Sequence, residues 1–271
     1  MKDHVLSERE EQILALSQEV TQGTSNIFTM FNNADLKFPD IKDEKGNEIQ
    51  VTHGKYLQLM ENPDRTVRMN TFYAVYHTYE KWLNTISTTL ATAVKSDVFY
   101  ARVRNYPSAL VAALDEDNIS PVVYDNLIST VKDHLEAMYR YISLRRKILA
   151  LPELHMYDLY VPLVSEYKKE IPYLEAVEIV KKGLEPLGPV YAQILTEGFK
   201  NRWIDVYENT GKTSGAYSWG SYDTHPYILL NYHNNLHNVF TIAHEMGHAL
   251  HSYFSNKNQP YIYAGYRIFV A

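Results

Sequence analysis

The chain contains no cysteine, which excludes a disulfide-stapled scaffold and any thiolate metal site. It has no apolar stretch long enough to span a bilayer, and the stretch from Met1 to Glu11 is polar and charged, unlike a secretory signal. Long basic runs are missing too. Its 26 Lys and Arg stand against 32 Asp and Glu, a formal net charge of −6, so there is no electrostatic footprint for nucleic acid. Neither a nucleic-acid nor a membrane partner is expected, and a cytoplasmic setting is compatible with the absent cysteines. Internal repeats and low-complexity linkers are also absent.

What is present suits an ordinary globular chain. With 271 residues, 45% of them apolar and 21% charged, it can bury a substantial core as one large domain or two ordinary ones. Tyrosine is abundant at 23 residues, a composition suited to helix interfaces where the ring is buried and the hydroxyl reaches water.

Periodicity sets the expected elements. Ile13, Leu14 and Leu16 predict a short amphipathic helix over Glu8 to Glu19. The segments Phe38–Ile41 and Glu48–Val51 flank Lys45-Gly46-Asn47 and predict two short strands and a turn. After Asn62-Pro63-Asp64, apolar residues from Val67 through Phe72, Val75, Tyr79, Trp82, Leu83 and Ile86 to Leu90 recur at threes and fours. They predict one long helix with a buried face, capped at Asn62 or a neighbour with Pro63 in its first turn. A second long helix is expected from Ser120-Pro121 to about Leu149, its aliphatic face running through Leu127, Val131, Leu135, Met138 and Ile142. Shorter ones follow from Ile171 to about Gly183 or Leu187 and from Pro189 through Phe199. Tyr207 to His225, rich in Gly, Ser, Thr and Tyr, reads as loop. Pro226 to Tyr232 then reads as a strand, and a helix is expected from about Asn235 to Phe254. The expected organisation is mainly α, in three stretches: residues 1–60, a helix plus a hairpin; 61–205, helical; and 206–271, a strand and a helix carrying the chemistry.

That chemistry lies in His244-Glu245-Met246-Gly247-His248. On a helix, positions i and i+4 share a face, so both imidazoles can address one metal ion. Glu245, one step round, can take a proton from water activated by zinc. The apolar flanks Val239–Ala243 and Ala249-Leu250 make this a buried helix, where two histidines and a carboxylate require partners. Other histidines are weaker candidates. His251 shares the face of His248 and either touches substrate or packs in support. His225, in the Gly-rich approach, and Tyr227, on the expected strand, are candidate contacts to a bound peptide. His233 and His237 read as surface residues; His53, His77, His134 and His155 read as structural.

The run Gly215-Ala216-Tyr217-Ser218-Trp219-Gly220, then His225 to Tyr232, then Val239 to Tyr253 resembles the thimet-oligopeptidase-like zinc metallopeptidases, most closely the bacterial oligoendopeptidase F group. The glycine inside His-Glu-x-Gly-His and the trailing His251 carry much of the likeness, and Tyr106 to Leu110 carries it more loosely. The resemblance implies a thimet-oligopeptidase/neurolysin-like helical channel fold with a small sheet beside the zinc helix, the channel admitting unfolded peptides and excluding folded proteins. It implies zinc as cofactor, His244 and His248 as ligands, Glu245 as general base, and the strand from Pro226 to Tyr232 pairing with the backbone of an oligopeptide substrate.

Within the family, a segment like Ile268-Phe269-Val270-Ala271 leads into a glutamate that supplies the third zinc ligand, and residues stabilising the tetrahedral intermediate lie further on. The expectation is therefore a fragment, incomplete at both ends. His237-Asn238 stands where the family tends to carry acidic residues. The expected function is hydrolysis of internal peptide bonds in oligopeptides. The alternative is a non-catalytic helical fragment that binds peptides or a partner chain.

Overall fold

The computed structural model describes residues 2–164 and 170–267. The chain packs as two compact units, one from residues 1–51 and 64–163, the other from 52–63 and 164–271. Among the described residues no helix is long and apolar enough to cross a membrane.

The first unit opens with α1 (Glu8–Met30). Ser7 and Glu10 form a reciprocal capping box, the Ser7 N–H donating to Glu10 Oε2 at 2.9 Å. The helix runs eleven residues beyond the expected Glu19 because its second half is held from outside its own pattern. Beyond Glu19 the Thr21 hydroxyl meets the Tyr100 hydroxyl at 2.9 Å, which also meets Ser17, one turn earlier, at 3.1 Å. The expected hairpin is present as β1 (Ile41–Lys42) paired antiparallel with β2 (Glu48–Ile49). Asp43 ties its turn by accepting the Lys45 and Asn47 N–H groups, each at 2.8 Å.

The two expected long helices are each two helices. α3 (Arg65–Lys81) ends at Trp82, whose φ of −108° and ψ of 14° leave the helical region, and α4 (Leu83–Val103) starts at once. Asp64 caps α3 through its side chain, so Pro63 precedes the cap instead of entering the first turn. After α5 (Ala109–Asp115), α6 (Pro121–Asp133) and α7 (Leu135–Ile148) are divided at His134 in the same way. The expected burial also fails along much of these faces. Val67 and Val75 are buried, but Leu83, Leu90, Leu127 and Val131 stay exposed. Periodicity reports which residues share a face; it does not supply the surface that covers them.

A buried ionic cluster closes this unit. Asp158, without solvent exposure, accepts Arg65 Nε at 3.1 Å, Arg65 Nη2 at 2.9 Å, Arg68 Nη2 at 2.9 Å and the His155 N–H at 3.0 Å. Arg145 donates to the carbonyls of Asp158 and Val161.

The second unit contains α2 (His53–Met60), α8 (Tyr173–Gly183), α9 (Pro189–Lys200), the strands β3 (Ile204–Asp205), β4 (Tyr217–Trp219) and β5 (Tyr227–Leu229), and then α10 (Leu236–Asn258) and α11 (Tyr261–Ala264). Its core joins Ile194 and Leu195 of α9, Ile228 of β5, and Ile242, Met246 and Leu250 of α10. The sheet order is β3-β5-β4, with β3 parallel and β4 antiparallel to β5. β4 corrects the reading of Tyr207–His225 as loop throughout. A three-residue strand between Gly215, in a left-handed conformation at φ 84°, and Gly220 is too short for alternation to stand out.

Candidate metal and peptide site

Helix α10 carries the site. Asn235 caps it, accepting the Asn238 N–H at 2.8 Å, and Val239, Ile242, Met246, Ala249 and Leu250 anchor its inner face in the core. That anchoring turns His244 and His248 outward together. Their Nε2 atoms lie 3.1 Å apart, with His244 exposed and His248 half-buried. Two nitrogens on one tetrahedral zinc ion at ~2.05 Å stand about 3.3 Å apart, so the pair fits as two donors to a single ion. Among the described residues no group of three His, Cys, Asp or Glu forms a metal set, and Ile268–Ala271, where the sequence points toward a third ligand, lie outside them.

Glu245 is buried, 6% exposed, on the flank of the helix that meets β4. Burial pushes its carboxyl up from the ordinary value, while His244, His248 and the Ser218 backbone N–H pull it down. Ser218 reaches Glu245 through its backbone N–H, so the sequence carries no side-chain signal for it beyond its place between two aromatic residues of one strand.

The remaining candidates separate. His251 stacks on Tyr266 with ring centroids 3.8 Å apart, and Tyr266 also meets the Ser252 hydroxyl at 2.9 Å. His225 lies flat against Trp203 at 5.5 Å, next to the Tyr227 ring at 4.4 Å, its Nδ1 on the Pro226 carbonyl at 2.7 Å. Tyr227 is exposed. His237 is on the surface as expected, but His233 is not: its side chain is 17% exposed and its Nε2 is buried. The chain turns inward before Asn235, where the Asn238 side chain accepts the His233 N–H at 2.7 Å.

The sheet order also corrects which strand can pair with a peptide. β5 lies between β3 and β4, so both its edges are taken; among the described residues, the strand that borders α10 with one edge unpaired is β4.

A helical unit with an His-Glu-x-x-His pair on a core helix beside an edge strand has clear relatives. Residues 58–271 match the model of peptidase family M3, and residues 1–38 match that of oligopeptidase F. The chain belongs to peptidase family M3. It is 54% identical over its whole length to oligopeptidase PepF of Bacillus subtilis, covering 40% of that protein, and 46% identical to the group B oligopeptidase PepB of Streptococcus agalactiae, covering 45%. The crystal structure of oligoendopeptidase-F from Enterococcus faecium matches 94% of the chain with a TM-score of 0.64 and 36% identity, over 42% of its own length. The chain thus spans less than half the length of these relatives.

Proposed function

We propose that the protein works as part of a zinc-dependent endopeptidase that hydrolyses internal bonds of oligopeptides in the cytoplasm. The observation that carries this reading is the His244–His248 nitrogen pair at 3.1 Å with buried Glu245 on the adjoining flank. His244 and His248 would hold the metal, which when bound acidifies water and polarises a peptide carbonyl. Glu245 accepts the water proton as its oxygen attacks the carbonyl carbon, and returns a proton to the departing amine as the C–N bond breaks. Burial raises its proton affinity above that of an ordinary carboxylate, the direction a general base needs. The β4 edge would align the substrate by backbone hydrogen bonds, which read peptides with little regard to side chains.

In a protein of the relatives' full length, Glu245→Gln should keep its zinc and lose peptide hydrolysis by ~10²–10⁴-fold, whereas His244→Ala should lose the zinc. Metal content and turnover measured on both variants check the roles. Near-normal turnover in Glu245→Gln would remove it as the base.

A further inference from the structure

A cavity of about 550 Å³ opens between β4, the C-terminal half of α10 and α11. Trp219 and Gly220 border it from the strand side, Ser252 and Asn256 from α10. Its described lining carries no charged side chain, and four aromatic rings face it: Trp219, Tyr222, Tyr261 and Tyr266. Two of these are tied in place by their hydroxyls. Tyr222 donates to the Gln259 carbonyl at 2.7 Å, and the Tyr266 hydroxyl meets Ser252 Oγ at 2.9 Å. The other two offer their rings to solvent. Tyr261 stands edge-on to Tyr222 with centroids 5.6 Å apart yet is 75% exposed, and Trp219 is 62% exposed.

That lining selects among guests. A charged side chain entering it would shed water and meet no opposite charge. A small one would leave the rings wet. A planar apolar ring covers them and gains the edge-to-face contacts that aromatic pairs prefer.

The cavity lies on the flank of α10 that carries the proposed base. At roughly 100° per residue, Ser252 and Asn256 stand about 80° and 120° round the helix from His244, on either side of Glu245 at about 100°. Ser252 is four residues past His248, about 6 Å along the axis. On the strand, Ser218 belongs to both places: its N–H meets the Glu245 carboxylate and the residue lines the cavity. Trp219 and Gly220 follow at about 3.4 and 6.8 Å of extended chain. Both routes equal one to two residues of an extended peptide laid along the open edge of β4. We propose that this cavity is a specificity pocket for an aromatic side chain of the bound peptide, one or two residues from the bond that is cut. The proposal rests on the peptide-cleaving reading above.

Alanine-rich nonapeptides carrying a single phenylalanine at successive positions test it in a protein of the relatives' full length. Cleavage, followed by mass spectrometry, should keep a fixed distance of one or two residues from the phenylalanine as that residue moves. The best of these peptides should exceed the all-alanine peptide roughly tenfold in kcat/KM, a factor within reach of burying one phenyl ring. Calorimetry with the Glu245→Gln variant, which does not consume its ligand, should show a like ratio in affinity. Tyr261→Ala should bring the phenylalanine-to-alanine ratio close to one. Asn256→Asp, which sets a carboxylate in the uncharged lining, should transfer the preference to lysine at the same position. Cleavage indifferent to phenylalanine overturns the proposal, as does a preference that both variants leave intact; in either case the peptide-cleaving reading stands. Tighter binding of phenylalanine peptides without cleavage of any peptide overturns that reading, and with it the placement beside a cut bond.

Discussion

Replacing Asp158 with asparagine should destabilise the first unit more than any other isosteric change in it. The carboxylate is fully buried and meets Arg68, whose side chain is 4% exposed, and Arg65, which is 37% exposed. Burial pushes its pKa up, but hydrogen bonds from Arg65, the His155 N–H and Arg68 outweigh it and bring the group from 3.8 to about 2. At 1.36 kcal/mol per unit, that shift corresponds to about 2.4 kcal/mol of stability. The folded-state pKa is lowered, so this contribution is complete above the unfolded value near 4 and fades as pH falls towards 2; roughly half is gone by pH 3. Asparagine keeps the shape but leaves the Arg68 guanidinium buried against a neutral amide, and breaking a buried pair from one side costs about 3–5 kcal/mol. Arg65, partly in water, loses less. The expected loss at pH 7 is therefore about 3 kcal/mol, read as a lower urea midpoint by circular dichroism, with the gap from wild type narrowing by more than 1 kcal/mol at pH 3. A loss under ~1 kcal/mol at pH 7, or a gap independent of pH, would refute the argument that the ionised carboxylate holds this cluster together.

Gly198→Ala in α9 should destabilise by about 1–3 kcal/mol despite the better helix propensity of alanine, worth about 1 kcal/mol. A Cβ there would sit 2.9 Å from the Trp203 ring and 3.0 Å from the Met246 methyl, beneath the helix that carries Glu245. Thermal denaturation checks it, and a raised midpoint would mean that Trp203 moves freely. Asn235→Ala should cost about 1 kcal/mol by removing the cap of α10, seen as faster amide exchange in its first turn. With the full-length protein, extended peptides should be cut and a stable folded domain of like composition left intact; rapid cleavage of the folded domain would rule out a channel that admits only unfolded chains.

Much of the site could be read without coordinates because it is written locally. His244 and His248 are four residues apart on a helix whose apolar spacing already declares which side is buried, so their convergence follows from 3.6 residues per turn. The hairpin at Gly46 and the extents of α8 and α9 are likewise set by local turn chemistry and period. Partners distant in sequence decided the rest. The breaks at Trp82 and His134 follow neither proline nor glycine, so nothing local announces them. Asp158 finds Arg65 and Arg68 some ninety residues away, a pairing with no sequence period. The central place of β5, and with it the unpaired edge of β4 among the described residues, depends on which strands meet across the sheet. Sequence determines what each residue can offer and to which face; tertiary packing determines what stands opposite, because the energy of burial and of a hydrogen bond belongs to the pair and not to either member.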